Sequence, residues 1–68
     1  MEEAIWGRRI RAFRKLKGFT QEQLAADLGV SVSYLGDIER GSKTANEQFI
    51  MKVAEALAIS LEDLRSIN

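Results

Sequence analysis

The sequence predicts an all-α fold of five short helices, on three observations. Apolar residues recur at spacings of three and four along most of the chain, the mark of one buried helical face. Residues that cap helix starts, Thr20, Ser31, Asn46 and Ser60, stand before such segments, and Gly18, Gly29 and Gly41 stand behind them. No strand pattern, repeat, linker or low-complexity tract breaks that punctuation. The chain is expected to be one domain over residues 1–68, near the size where folding buries only about 60% of the unfolded surface.

The first helix is expected from about Glu2 or Glu3 to Lys17, with acids in its first turn and Arg14, Lys15 and Lys17 in its last, as the helix dipole favours. Trp6, Ile10 and Phe13 form its core-facing stripe. Ile5, Ala12 and Leu16 make a second stripe beside it. Such a helix either lies deep between two partners, the expectation for so small a domain, or leaves one stripe for a second protein. Phe19 packs at the entry to the next segment, as a staple toward Leu24.

Residues 20–41, TQEQLAADLGVSVSYLGDIERG, read as two helices broken by a tight turn. Thr20 and Gln23 form a capping box, and Leu24, Ala25 and Leu28 share the apolar face that follows. Gly29 ends this helix by adopting positive φ. Val30 plugs the turn, and Ser31 caps a second helix from about Val32 to Arg40 that Gly41 closes. Small Ala25 lets two helices cross closely through a turn of three or four residues, while Leu35 and Ile38 face inward.

After the polar loop SKTAN, Asn46 is expected to cap a fourth helix from about Glu47 to Leu57, buried through Phe49, Ile50, Val53, Ala54 and Leu57. Ser60 begins a short last helix, with Asp63 as a capping-box analogue and Leu61, Leu64 and Ile67 pointing inward or to a partner.

Gln21, Leu24, Ala25, Leu28, Gly29, Val30, Leu35 and Ile38, followed by IERG, resemble the helix-turn-helix of the phage-repressor and Cro-like (XRE-type) family of bacterial regulators. The flanks GRRIRAFRKLKGFT and VAEALAISLEDL extend the resemblance over roughly residues 5 to 64. It implies a lambda-repressor-like DNA-binding domain with its helix-turn-helix at 20–41, whose second helix enters the major groove. It also implies an ion pair between Arg14 and Glu39, largely buried. Where the family usually has Gly, this chain has Ala58, so a looser or differently wound exit from the fourth helix is expected.

Mapped through matching positions, the base-facing set is Val32, Ser33, Gly36 and Asp37. None is the Arg, Asn or Gln that makes bidentate contacts to guanine or adenine. Val32 suits a thymine methyl, Ser33 either base class, and Asp37 cytosine N4, unless Asp37 instead pairs with Arg40 three residues on. Gly36 costs about 1 kcal/mol in a helix relative to Ala; close approach to the groove floor, crowding against the first helix or simple tolerance would each account for it. Phosphate contacts fall to Thr20, Gln21, Ser31, Tyr34, Arg40 and Lys43, helped by first-helix cations.

Composition narrows the function. With no Cys and no His, the chain lacks disulfides, thiolate metal sites and the usual neutral-pH general base, so neither an enzyme nor a cofactor or metal is expected. No leader-like or membrane-spanning stretch stands in the sequence, and a cytoplasmic place is expected. Net charge is zero and the pI about 6.2, below the value of about 9 that marks many nucleic-acid binders. The charge is segregated, however. Residues 8 to 43 carry eight of the ten basic groups and four of the ten acids, a balance of +4 offset by −4 at the two ends.

The expected function is a sequence-specific transcriptional regulator, a repressor, binding double-stranded DNA at a near-palindromic operator. It is expected to act as a homodimer through Ile59, Leu61, Leu64 and Ile67, with Ile5 and Leu16 as the rival surface. The competing class is a protein-interaction module of the same fold, antitoxin-like, with little DNA binding.

Overall fold

The chain turns through α1 (Glu2–Leu16), α2 (Gln21–Leu28), α3 (Val32–Arg40), α4 (Glu47–Ala56) and α5 (Leu61–Arg65). The computed structural model describes residues 2–65, residues 2–5 by their backbone alone, and no strand occurs among the described residues.

Local chemistry places the helix starts. Thr20 Oγ1 accepts from the Gln23 amide at 3.0 Å, and Gln23 Oε1 accepts from the Thr20 amide at 3.0 Å. Ser31 Oγ accepts from Tyr34 N at 3.0 Å, Asn46 Oδ1 from Phe49 N at 2.8 Å and Ser60 Oγ from Asp63 N at 2.9 Å. Each cap satisfies an amide that the helix itself leaves free. Gly29 (φ 72°) and Gly41 (φ 84°) end α2 and α3 in the left-handed conformation. The turn that starts at Gly29 brings α2 against α3, and Ala25 of α2 is buried.

Ala58 departs from expectation in a definite way. It takes φ 57°, the same left-handed turn the glycines adopt. The α4 exit is therefore neither looser nor differently wound, since Ile59 N donates to Ala54 O at 2.9 Å and Ala58 N to Glu55 O at 3.1 Å. These two bonds hold an L-residue where its Cβ crowds a carbonyl oxygen.

The core draws on all five helices. Ile10, Leu24, Leu35, Ile38, Val53 and Leu57 are fully buried or within 1% of it, each such side chain contributing about 1.5–3 kcal/mol relative to exposure. Trp6, Phe13, Phe19, Val30 and Tyr34 pack around them, half-buried.

Two expectations are corrected here. The second stripe of α1 is not buried between partners at Ala12 and Leu16, since α1 packs on α3 and α5 yet leaves Ala12 exposed and Leu16 74% exposed, while the Ile5 side chain lies outside the described residues. Leu64 is no surface residue. It is fully buried where α5 folds back against α1 and α4, so it cannot serve as a dimer contact. Ile59 and Leu61 are half-buried against the same core. Ile67 lies outside the described residues.

One packing determinant goes unmarked by the apolar pattern. Gly7, inside α1, lies directly against the backbone of α3. A β-carbon there would collide with the Ile38 carbonyl oxygen and stand 3.1 Å from that of Glu39.

Candidate nucleic-acid interface

The site grows from the two capped N-termini of α2 and α3. Val32 is 39% exposed and Ser33 is exposed, so the first two residues of α3 are open to solvent. The caps use the oxygen lone pairs of Thr20 and Ser31 as acceptors, which leaves each hydroxyl hydrogen to donate outward. Tyr34 is anchored edge-on against Phe49, with ring centroids 5.7 Å apart and planes at 78°. Lys43 sets its ammonium 6.0 Å from the Tyr34 ring centroid, which joins the loop after α3 to the start of that helix.

Behind this surface sits the expected ion pair, and it is buried. Arg14 is 7% and Glu39 5% exposed. Arg14 Nε donates to Glu39 Oε2 at 2.7 Å and Nη2 to Oε1 at 3.2 Å, a two-pronged contact. Arg14 Nη1 donates to the Phe19 carbonyl at 2.8 Å, tying the end of α1 to the approach to α2. Gln21 Nε2 donates to Glu39 Oε1 at 3.0 Å, so α2 joins the same network. Sequence reasoning placed Gln21 only on phosphate and did not foresee this bond. No buried side-chain nitrogen or oxygen among the described residues lacks a partner.

The remaining predicted residues separate. Asp37 pairs with Arg40, whose Nη2 donates to Asp37 Oδ1 at 2.5 Å; of the two roles open to Asp37, this pairing is the one the free protein adopts. Gly36 does not crowd the first helix. A β-carbon on it would lie 3.1 Å from Arg40 Nη1 and 3.6 Å from Gln21 Nε2. Arg11, which sequence reasoning did not single out, lines an open cleft with Thr20, Gln21 and Arg40. No cluster of acidic residues capable of holding a metal ion occurs among the described residues, and no helix is long and apolar enough to cross a membrane.

Comparison with known proteins identifies the arrangement. A helix-turn-helix family model matches residues 10–64. The chain belongs to this helix-turn-helix family. It is 58% identical over 64 residues to the HTH-type transcriptional regulator YazB of Bacillus subtilis, covering 94% of this chain and 93% of that one. Against the regulator SinR of Bacillus subtilis it is 42% identical over 85% of this chain but only 53% of SinR. This helix-turn-helix chain thus spans about half of that longer relative. Among solved structures it superimposes on the clp gene regulator ClgR of C. glutamicum with a TM-score of 0.92 at 34% identity, covering 96% of this chain and 84% of ClgR. It superimposes on SinR in complex with DNA with a TM-score of 0.79 at 39% identity, covering 90% and 98%. These helix-turn-helix relatives are transcription regulators, a non-enzymatic class.

Proposed function

We infer that this protein is a sequence-specific DNA-binding transcriptional regulator, a repressor, that seats α3 in the major groove and acts in the cytoplasm on a near-palindromic operator. The observation that carries the reading is the exposed start of α3, Val32 and Ser33, beside the capping hydroxyls of Thr20 and Ser31 at the starts of α2 and α3. Thr20 and Gln21 on one side, with Ser31, Tyr34 and Lys43 on the other, contact phosphate. Val32, Ser33 and Asp37 face base edges. The likeness to a SinR structure in complex with DNA supports this docking mode.

A two-fold operator calls for a dimer, because two recognition helices about 34–36 Å apart meet successive major-groove faces. With Leu64 in the core, the surface that suits a second copy is an apolar groove between α4 and α5. Met51, Ala54, Ile59 and Leu61 line it, with Lys52 and Glu55 on its rim. Met51 is 54% exposed. The rim carries both signs of charge, Lys52 and Glu55, as a self-complementary surface requires.

The test is DNA selected from a random pool, followed by titration over a range of salt. Binding is expected to weaken with a slope in log K against log salt of roughly −0.9 per phosphate neutralised by a cation. A flat salt response, or no enriched duplex at low salt, would favour an interaction module of the same fold instead.

A further inference from the structure

We propose that Arg40 is a specificity-determining residue of this interface: laid across the gap left by Gly36 and clamped by Asp37, its guanidinium reads a guanine in the major groove. The inference rests on the DNA-binding reading above and supplies what that reading lacks, a bidentate donor on the base-facing surface.

The placement follows from helix geometry. Side chains on a helix lean toward its N-terminus, so a residue covers the turn before its own Cα. Arg40 stands four residues after Gly36 and three after Asp37, on the face that also carries Val32 and Ser33. A β-carbon at position 36 would press on the guanidinium and displace it by a few tenths of an ångström, and a longer side chain would displace it further. Gly36 lets it lie flat, with Nη1 3.1 Å from where a β-carbon would stand and Gln21 Nε2 on the other side of the gap. The group presented at position 36 is thus the guanidinium of Arg40, delivered from the last turn of α3.

Its chemistry favours a base over a phosphate. Arg40 Nη2 spends one hydrogen on Asp37 Oδ1, and four of the five guanidinium N–H donors remain. The Arg40 side chain is 65% exposed, so those donors are accessible. The Arg40–Asp37 pair taken together carries no net charge. It therefore gains little from releasing counterions at a phosphate, and its Asp37 carboxylate would be repelled there. At a G·C pair the same two groups match the groove edge: guanine N7 and O6 accept from the guanidinium, and cytosine N4 donates to the carboxylate. The pairing also narrows the orientations open to the guanidinium before DNA arrives, so less side-chain freedom is lost on binding.

Sequence selection from a random duplex pool with the wild-type chain, Arg40→Ala and Arg40→Lys tests this, with thermal melting of each variant to establish that it folds. The wild type is expected to enrich a guanine at one position of each half-site. Arg40→Ala should erase the preference at that position alone, leave the rest of the motif readable, and lower affinity for the preferred duplex about tenfold or more. Arg40→Lys should fail to restore the preference, because an ammonium is a point charge without the planar fork. If Arg40→Lys instead keeps the wild-type profile, or Arg40→Ala weakens all duplexes equally and flattens the salt slope by about one contact, Arg40 is a phosphate ligand and the inference is overturned. If the wild type enriches no sequence at all, the DNA-binding reading falls, and this inference with it.

Discussion

Glu39, nearly buried, accepts hydrogen bonds from both prongs of Arg14 and from Gln21. Desolvation offsets much of that attraction, so the pair adds little net stability while either half alone is costly. Arg14→Met is expected to destabilise by about 3–5 kcal/mol, because it strands a buried carboxylate. Glu39→Gln should cost less, since the amide keeps one acceptor oxygen. The double variant should lose less than the two losses added, as read in a double-mutant cycle by denaturant unfolding. Strictly additive losses would mean the two side chains act independently. Arg14 and Glu39 were legible through the family resemblance, because both residue types stand at matching positions. Gln21 was legible only as a phosphate ligand, since its bond to Glu39 spans 18 residues and depends on how α2 crosses α3. Gly7 escaped the apolar pattern because a close approach of two backbones leaves no hydrophobic trace. The cost of about 1 kcal/mol for glycine inside a helix was the one available signal.

At the scale of the element, the ends of the helices were the most readable feature. Capping needs only residues three apart, as at Thr20, Ser31, Asn46 and Ser60, and no distant partner enters. The exit of α4 is the exception. Its conformation is imposed by the bonds from Ala58 and Ile59 back to Glu55 and Ala54 and by the burial of Leu57 and Leu64 on either side. The packing thus overrides the local preference of alanine, which disfavours φ 57° by roughly 1–2 kcal/mol. Ala58→Gly relieves that cost but loosens the unfolded chain, so a net gain of about 0.5–1 kcal/mol is expected. Thermal unfolding should register it as a rise in Tm. A fall would place the strain elsewhere.

For the whole molecule, the division between core and surface in the last helix was beyond reach of the sequence. Leu61 and Leu64 are equally apolar and three apart, yet only the folded chain tells which lies under α1 and which borders the groove. Met51 was overlooked because its neighbours Ile50 and Val53 accounted for the buried face of α4. Met51→Glu is expected to leave the fold intact and to abolish dimers on operator DNA in sedimentation, whereas Leu16→Glu, on the exposed flank of α1, should leave them unchanged. The reverse result would move the interface to α1. The interface is expected to be small, below about 1,200 Å², so dimers should be weak until DNA joins them.

The direct contact between the α1 backbone at Gly7 and the Ile38 carbonyl has a thermodynamic consequence. The Arg14–Glu39 bond acts on the next residue, so both contacts hold the C-terminal end of α3. Docking is expected to move α3 with the domain as one body, so the heat-capacity change of association should be accounted for by the surface buried at the interface alone, without the added contribution that folding on contact would bring.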